Sequence, residues 1–279
     1  TSSSCGQLRK SGEHMEKILI FIPVYRCEKQ LPRVLARIAA LGEDAALFSQ
    51  VLIVDNRSPD GTREAALAAM PSLPVPAVLV ENDENYSLGG SHKVAFSYAL
   101  EHGFDYVVVL HGDDQADIAD LVPLLRRGEH RKMDSLLGSR FMKDSVLTGY
   151  SGFRVFGNHC FNAFLSVCCG RRITDLGSGL NLYRTDYLRS GFYRSFPNDL
   201  SFNVFLLEYG VYAKSRFAFF PISWREEDQI SNAKLFAQSR RIFGLTMNYV
   251  LHKKRLFAPQ ENEYSRRAYT YQILGEHTL

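Results

Sequence analysis

The sequence predicts an α/β protein built on a doubly wound, mostly parallel sheet. Four short runs, at residues 17–23, 50–55, 76–81 and 106–111, have the continuous apolar character of strands buried on both faces. Segments with helical spacing separate these runs, and such alternation is typical of parallel sheets with right-handed crossovers. Each run ends in polar residues, which we expect to meet at the carboxyl edge of the sheet, where such sheets bind ligands.

Helices are predicted between these strands. Residues 31–41 and 62–70 have helical apolar spacing, and a polar, glycine-bearing loop at 82–91 leads into a helix that ends near residue 102. After the fourth strand, residues 119–127 predict a helix and residues 135–139 a short strand.

The strand–helix rhythm weakens from residue 142 onward. The predictions for this half are an aromatic and apolar segment at 153–170, partial strand at 173–183, a helix at 200–209, a strand at 213–221 and a long helix at 232–254.

A single domain is expected over residues 15–258, with a nucleotide-binding half at 15–140 and an acceptor half at 141–258. Residues 1–14 are expected to be a disordered or expression-derived tail, with Met15 as the native start. Residues 259–279 are expected to form a loose C-terminal tail.

Composition excludes several classes of protein. A net charge of +3 is too small to indicate nucleic-acid binding. Five cysteines without zinc-site spacing predict reduced thiols. No apolar run reaches the roughly 18 residues of a membrane span, so we expect a cytoplasmic protein, peripheral at the inner face of the membrane.

Residues 111–117 place several oxygen ligands directly after the fourth strand. Clustered carboxylates at such a position suit Mg²⁺ or Mn²⁺, and a metal held there usually binds substrate phosphates as well. The alternative is an acidic turn that only caps the next helix.

Four motifs then carry a family resemblance. The chain reads Ile-Pro-Val-Tyr at 22–25, Val-Asp-Asn-Arg-Ser-Pro-Asp-Gly-Thr at 54–62, Gly-Ser-Arg at 138–140 and Asp-Leu-Gly-Ser-Gly-Leu at 175–180. In this order it resembles the inverting glycosyltransferases of family 2, which have the GT-A fold. Within them it is most similar to the dolichyl- and polyprenyl-phosphate sugar synthases, over about residues 17–235.

The resemblance implies a divalent metal, Mg²⁺ or Mn²⁺, on the motif after the fourth strand. The second Asp of the family's Asp-x-Asp is Asp113, and the Gln that follows is Gln115, but His111 replaces the first Asp. The implied metal ligands are therefore Asp113, Gln115 and His111, with Asp114 as an alternative source of charge. For Asp117, helix capping is the favoured interpretation.

The resemblance also implies a nucleotide pocket. It places Asp55 or Asn56 against the base, where Asn56 replaces a usual Asp, although Asp55 could equally cap its own loop. The predicted nucleotide-binding residues are Pro23, Val24, Tyr25, Glu28, Asp55, Asn56, Gly112 and Asp113. Lys93 is interpreted as a solvated helix residue rather than a phosphate ligand.

Arginines are the predicted phosphate ligands on the acceptor side, because a guanidinium pairs with phosphate in a fork. The resemblance favours Arg140 and Arg154, whereas Arg171 and Arg172 are interpreted as surface charge. Further predicted acceptor contacts are Asn162, Ser178 and Arg225.

The acceptor decides whether a general base is needed. An ionised lipid phosphate attacks as it stands, whereas a sugar hydroxyl requires a carboxylate. Asp175 is the first candidate for that base, and Glu226, Glu227 and Asp228 are alternatives that could instead cap the following helix. The predicted catalytic residues are Asp175, Asp113, Arg140 and Arg154.

We therefore expect sugar transfer from a UDP- or GDP-sugar by single in-line displacement. Polyprenyl phosphate is the preferred acceptor, and a hydroxyl of a surface glycan is the alternative. The segments at 153–164 and 232–255 suit membrane or prenyl contact, or else core packing and a homo-oligomer interface.

Two other classes of protein are alternatives to a glycosyltransferase. A nucleotidyltransferase would need a glycine-rich loop after the first strand, and residues 23–28 contain no glycine. The second alternative is a non-catalytic nucleotide-binding module, which is suggested because His111 and Asn56 replace the usual Asp residues.

Overall fold

A computed structural model describes residues 15–226, 232–258 and 261–279, with side chains of the final long helix described from residue 240 on. Its centre is an eight-stranded sheet with the order β10-β3-β2-β1-β4-β7-β5-β8. These strands are β1 Ile18–Val24, β2 Gln50–Asp55, β3 Ala77–Asn82, β4 Tyr106–Leu110, β5 Ser135–Ser139, β7 Leu180–Arg184, β8 Phe217–Pro221 and β10 Tyr271–His277. Strands β6 (Val146–Thr148) and β9 (Ser223–Arg225) form a separate parallel pair.

Helices cover both faces of the sheet. They are α1 Leu31–Ala39, α2 Thr62–Ala69, α3 Ser87–Glu101, α4 Val122–Arg126, α5 Gly152–Cys169, α6 Thr185–Leu188, α7 Phe202–Tyr212, α8 Asn232–Leu256 and α9 Glu263–Arg266. Helix α8 is kinked at His252. In the part of the chain that the structure describes, no helix has the length and hydropathy needed to cross a bilayer.

The sheet separates two hydrophobic layers because successive strand residues point to opposite faces. Ile20 and Ile22 of β1 pack in the layer that includes α1 and α2. Leu19 and Phe21 pack in the other layer, which includes side chains of α3, α5, α7 and α8. These four side chains of β1 are fully buried, as the continuous apolar run predicts.

Strands β1 to β4 are mutually parallel, whereas β7 is antiparallel to both β4 and β5. The prediction of a mostly parallel, doubly wound sheet is therefore confirmed. Because β7 is reversed, its first residue, Leu180, lies opposite the last residue of β4, Leu110. The loop that precedes β7 consequently joins the loops that follow β1, β2 and β4 at one edge.

Two predictions about secondary structure were wrong. The C-terminal segment, predicted to be a loose tail, supplies β10, which pairs antiparallel with β3. An open edge of a sheet favours such pairing, because it satisfies backbone groups that are otherwise unpaired. The helix predicted at 119–127 is instead a 3₁₀ turn at Ile118–Asp120 followed by the short α4, since Pro123 is tolerated only in the first turn of a helix.

Candidate functional site

The candidate site lies where β1, β2 and β4 end, at Val24, Asp55 and Leu110. Two backbone hydrogen bonds hold these ends together, from Asn56 N to Val24 O (3.0 Å) and from Gly112 N to Pro23 O (3.2 Å). A Cβ on Gly112 would lie 2.5 Å from Val24 Cγ1. Only glycine therefore allows the β4 loop to approach β1 so closely.

Asp55 is fully buried, and both of its carboxylate oxygens accept from Ser58 N, at 3.2 and 3.1 Å. Burial raises the pKa of this carboxyl, and the hydrogen bonds from Ser58 oppose the rise. The contacts are those of loop capping, which was the alternative interpretation of this residue. Tyr25 is 44% exposed beside this loop, and the Glu28 side chain lies over Gly61.

Asn56 is at the centre of an amide network. Its Oδ1 accepts from Asn82 Nδ2 (3.0 Å) and from Tyr86 N (2.8 Å), and its Nδ2 donates to Asn85 Oδ1 (2.8 Å). An aspartate could make the first two bonds but could not donate the third. The structure thus gives a physical reason for Asn at a position where the family usually has Asp.

Two carboxylates of the acidic turn are ion-paired. Asp114 accepts from Arg33 Nε and Arg37 Nε, both at 2.7 Å. Burial works to raise the pKa of Asp114, but the two arginines outweigh it and the pKa is lowered. Asp117 accepts from Ala119 N at 3.0 Å and also contacts Arg37. Both side chains are therefore committed to structure, and Asp117 makes the capping contact that was favoured for it.

The role of α1 in this turn was missed from the sequence. Its signal was present, because Arg33 and Arg37 are four residues apart and so lie on one face of a helix. Which acidic residue they would meet depends on how α1 packs beside the β4 loop.

Asp113 differs from its neighbours. Among the described residues it accepts one hydrogen bond, from the nearby Gln115 N at 3.3 Å, and the side chain is only partly buried. The His111 ring packs against Gly179 and lies 6.3 Å from the His92 ring, and its buried Nε2 has no partner among the described residues. Unlike Asp114 and Asp117, Asp113 is thus a carboxylate that is available to bind a metal ion.

A divalent cation fits this edge of the sheet if Asp113 binds it together with substrate phosphates. The described residues contain no group of three or more His, Cys, Asp or Glu side chains able to hold a metal ion. Mg²⁺ is commonly bound through one or two carboxylates together with substrate phosphates, rather than by an all-protein cage. Asp113 meets that requirement, with the Gln115 side chain partly exposed two residues away.

Further along the same edge of the sheet, Arg140 after β5 and Asp175 before β7 form a bidentate pair. We call the part of this edge from Asp113 to the Arg140–Asp175 pair the cleft. Arg140 Nε and Nη2 each donate to Asp175 at 2.8 Å, and Arg140 N donates to it at 2.9 Å. The guanidinium also lies 4.9 Å from the centre of the Trp224 ring. Burial works to lower the pKa of Arg140, but the Asp175 carboxylate outweighs it and the pKa is raised.

Arg154, in the first turn of α5, is ion-paired with Glu226. Its guanidinium lies 4.4 Å from the centre of the Tyr150 ring, and the side chain is 18% exposed. Glu226, a predicted candidate base, is therefore also held by an arginine, through one hydrogen bond rather than a bidentate pair. Glu227 and Asp228, the other candidates, lie outside the described residues.

The three further acceptor candidates make contacts within the protein. Asn162 Nδ2 donates to Thr174 O (2.7 Å), Ser178 Oγ donates to Leu180 O (3.1 Å), and Arg225 pairs with Asp117 (3.2 Å). Asn162 and Ser178 are buried. These bonds fix the loop before β7 and the strand β9 at the rim of the cleft.

Two basic residues are not where the sequence suggested. Lys93, predicted to be solvated, is 1% exposed, and its Nζ donates to Phe196 O (2.6 Å) and Asn198 Oδ1 (2.8 Å). Arg171, predicted to be surface charge, donates to the carbonyls of Ser215 and Phe217. Both corrections have one cause: the backbone of a distant segment supplies carbonyl acceptors that sequence spacing does not reveal.

The model of the family described as "Glycosyl transferase family 2" matches residues 19–192, which include the four sequence motifs at 22–25, 54–62, 138–140 and 175–180. The chain belongs to glycosyl transferase family 2. This glycosyltransferase is 30% identical over 174 residues to an undecaprenyl-phosphate mannosyltransferase of Micrococcus luteus, a match that covers 62% of this chain and 69% of that one.

A second relative is a polyprenol monophosphomannose synthase of Mycolicibacterium smegmatis, 24% identical over 62% of this chain and 63% of its own length. Among solved structures, the glycosyltransferase is similar to a glucosyl-3-phosphoglycerate synthase from Mycobacterium tuberculosis in complex with Mn²⁺, UDP-glucose and phosphoglyceric acid. That structure has a TM-score of 0.60 at 16% identity, over 84% of this chain and 79% of that one. The GT-A fold predicted from the motifs is confirmed.

Proposed function

We propose that this glycosyltransferase moves a sugar from a nucleotide sugar to a polyprenyl phosphate, with inversion, in the cleft between Asp113 and the Arg140–Asp175 pair. Two relatives that act on polyprenyl phosphates, by name, support this acceptor. The matched stretch spans about two thirds of each of those relatives.

One observation carries the choice of acceptor. In the described part of the chain, both candidate bases on the acceptor side, Asp175 and Glu226, are ion-paired with an arginine. A carboxylate whose oxygens accept from a guanidinium would have to give up that contact to take a proton from a hydroxyl. A hydroxyl acceptor needs such a base, whereas a phosphate arrives already ionised. The cleft is therefore better suited to a phosphate.

On the donor side, the leaving diphosphate gains negative charge as the glycosidic bond breaks. A Mg²⁺ or Mn²⁺ ion bound at Asp113 would stabilise that charge. A protein with the same fold has been solved with Mn²⁺ and UDP-glucose, which supports a divalent cation as the cofactor. Gln115 and His111 remain proposed further ligands.

The nucleotide would enter over the joined ends of β1 and β2. The turn after Asp55 and the partly exposed Tyr25 line this entrance, and Glu28 lies beside it over Gly61. In this proposal Asp55 and Asn56 shape the base pocket through the loop that they stabilise, and the Pro23, Val24 and Gly112 backbones close it.

Arg154 is the proposed contact for the acceptor phosphate. It is partly exposed at the start of α5, and a guanidinium can pair with phosphate through a second edge while it keeps one carboxylate contact. Glu226 would then hold the guanidinium in place while the phosphate approaches.

The test is release of nucleoside diphosphate from a panel of UDP- and GDP-sugars, with Mg²⁺ or Mn²⁺, with and without a short polyprenyl phosphate. We expect release that requires the lipid phosphate and that Asp113→Ala reduces at least about 100-fold, the scale on which electrostatic stabilisation acts. Asp186→Ala is the matched control, because this carboxylate is 73% exposed in α6, at the opposite edge of the sheet.

Release that ignores the lipid phosphate but responds to a glycan acceptor would contradict the proposed acceptor and restore the glycan hydroxyl. Nucleotide binding without release from any donor would instead support a non-catalytic module. Release of inorganic diphosphate would indicate a nucleotidyltransferase.

A further inference from the structure

Helix α5 exposes an apolar stripe along its whole length. Phe153 is 85% exposed, Phe156 is 67% exposed and Val167 is 83% exposed. Cys160 and Ala163 are also exposed and fall on the same side of the helix, at steps of three and four residues. A surface helix normally turns charged residues to solvent. The outer face of α5 is therefore suited to contact with another apolar body.

The stripe continues onto α8. Phe164 of α5 stacks on Phe243 of α8 with 5.1 Å between ring centres, which joins the two helices edge to edge. Phe243 is itself 48% exposed. We call the combined surface the apolar ridge, and it consists of Phe153, Phe156, Val167, Phe243, Val250 and Leu251. Exposed apolar surface of this extent commonly marks an interaction site.

Five exposed basic residues lie on or directly after the two helices that carry the ridge. Arg172 follows α5, and the others lie on α8, where three of them come directly after the kink at His252. None of these cations pairs with a carboxylate among the described residues. We call them the cationic rim, and its members are Arg172, Arg240, Lys253, Lys254 and Arg255.

We propose that the apolar ridge inserts into the headgroup region of an anionic membrane leaflet, with the cationic rim on the lipid phosphates. The charge argues for this occupant over a second copy of the chain, since pairing two ridges would bring two cationic rims together. This inference names the surface that would present the acceptor, and so it extends the proposed function. Phe153 and Arg154 are adjacent, which would place the acceptor arginine at the membrane surface.

The experiment is sedimentation with vesicles of phosphatidylcholine alone, or of equal parts phosphatidylcholine and phosphatidylglycerol, without any nucleotide or polyprenyl phosphate. We expect binding to the anionic vesicles that weakens as salt is added. Phe153→Ser with Phe156→Ser should reduce the partition coefficient at least about ten-fold, because two apolar side chains leave the interface. Lys253→Gln with Lys254→Gln should reduce binding to anionic vesicles only.

Ile273→Ser is the matched control, because Ile273 is a 56% exposed apolar residue on the far edge strand β10, and we expect it to bind like the parent. Equal sedimentation of the Phe153/Phe156 variant and the parent would overturn the proposal. So would a dimeric mass in solution that becomes monomeric in that variant. Because no substrate is present, failure here is independent of failure of the transferase assay.

Discussion

Arg140 and Asp175 are joined by two parallel side-chain hydrogen bonds of 2.8 Å, although 35 residues separate them. Asp175 is 2% exposed, and the pair connects the end of β5 to the loop before β7. A buried pair of this kind holds two segments in register, and removal of one partner leaves the other charge without compensation.

Asp175→Asn should therefore lower the free energy of unfolding by about 3 kcal/mol, the cost of leaving a buried charge unpaired. Transfer should fall as well, because the rim of the cleft loosens. Chemical denaturation measures the first effect and diphosphate release the second. The control is Asp134→Asn, whose partner Arg216 is 62% exposed, so a change below about 1 kcal/mol is expected. Normal stability with abolished transfer would assign Asp175 a direct chemical role.

Asn56→Asp restores the residue usual in the family, and we expect it to destabilise this protein by about 1–3 kcal/mol, because a carboxylate would face the Asn85 oxygen without a proton to donate. Asn85→Asp is the matched control, since Asn85 Oδ1 only accepts, from Asn56 Nδ2 and Ser87 N. Denaturant midpoints compare the two. Equal stability of both variants would show that the amide network does not select Asn56.

Lys93→Met tests the buried lysine through pH. Burial lowers the pKa of Lys93 from 10.5 to about 7. Between these values the unfolded chain binds the proton and the folded chain does not, so this group makes the folded state more stable as pH rises. The stability of the parent relative to Lys93→Met should therefore increase from about pH 7 to about pH 10 and be flat below pH 7. Lys132→Met, at an exposed lysine, is the matched control.

Glu208→Gln should show the opposite dependence. Glu208 in α7 is 1% exposed, neither of its oxygens has a hydrogen-bond partner among the described residues, and burial raises its pKa from 4.5 to about 7. Between pH 4.5 and 7 the folded parent keeps a proton that the unfolded chain has released, so the stability of the parent falls as pH rises through this range. Glu208→Gln should thus gain on the order of 3 kcal/mol over the parent across this range, at about 1.4 kcal/mol per pKa unit.

The exposed Glu43→Gln is the control for that series. Thermal or denaturant unfolding at several pH values measures both variants. An advantage of Glu208→Gln that does not change with pH would mean that Glu208 stays in one protonation state throughout.

The strands and the cleft were largely predictable. Strand β2 has the predicted bounds, and β1, β3, β4 and β5 differ from prediction by at most one residue at either end, because strands buried on both faces leave an uninterrupted apolar run. Strand β10 was missed because its sequence contains polar residues and a glycine, such as Gln272 and Gly275, and is not a continuous apolar run. Its formation depends on the open edge of β3.

The sequence by itself determined the GT-A fold, the family and the edge at which the site lies, because these follow from local apolar patterns and short motifs. Only the tertiary structure decided which charged side chains remain available there. Asp113 makes no ion pair within the part of the chain that the structure describes, whereas Asp114, Asp175 and Glu226 are each held by an arginine. Their partners are 35 to 81 residues away. An ion pair depends on distance in space, which packing of the helices and loops around the sheet sets and which sequence spacing does not encode.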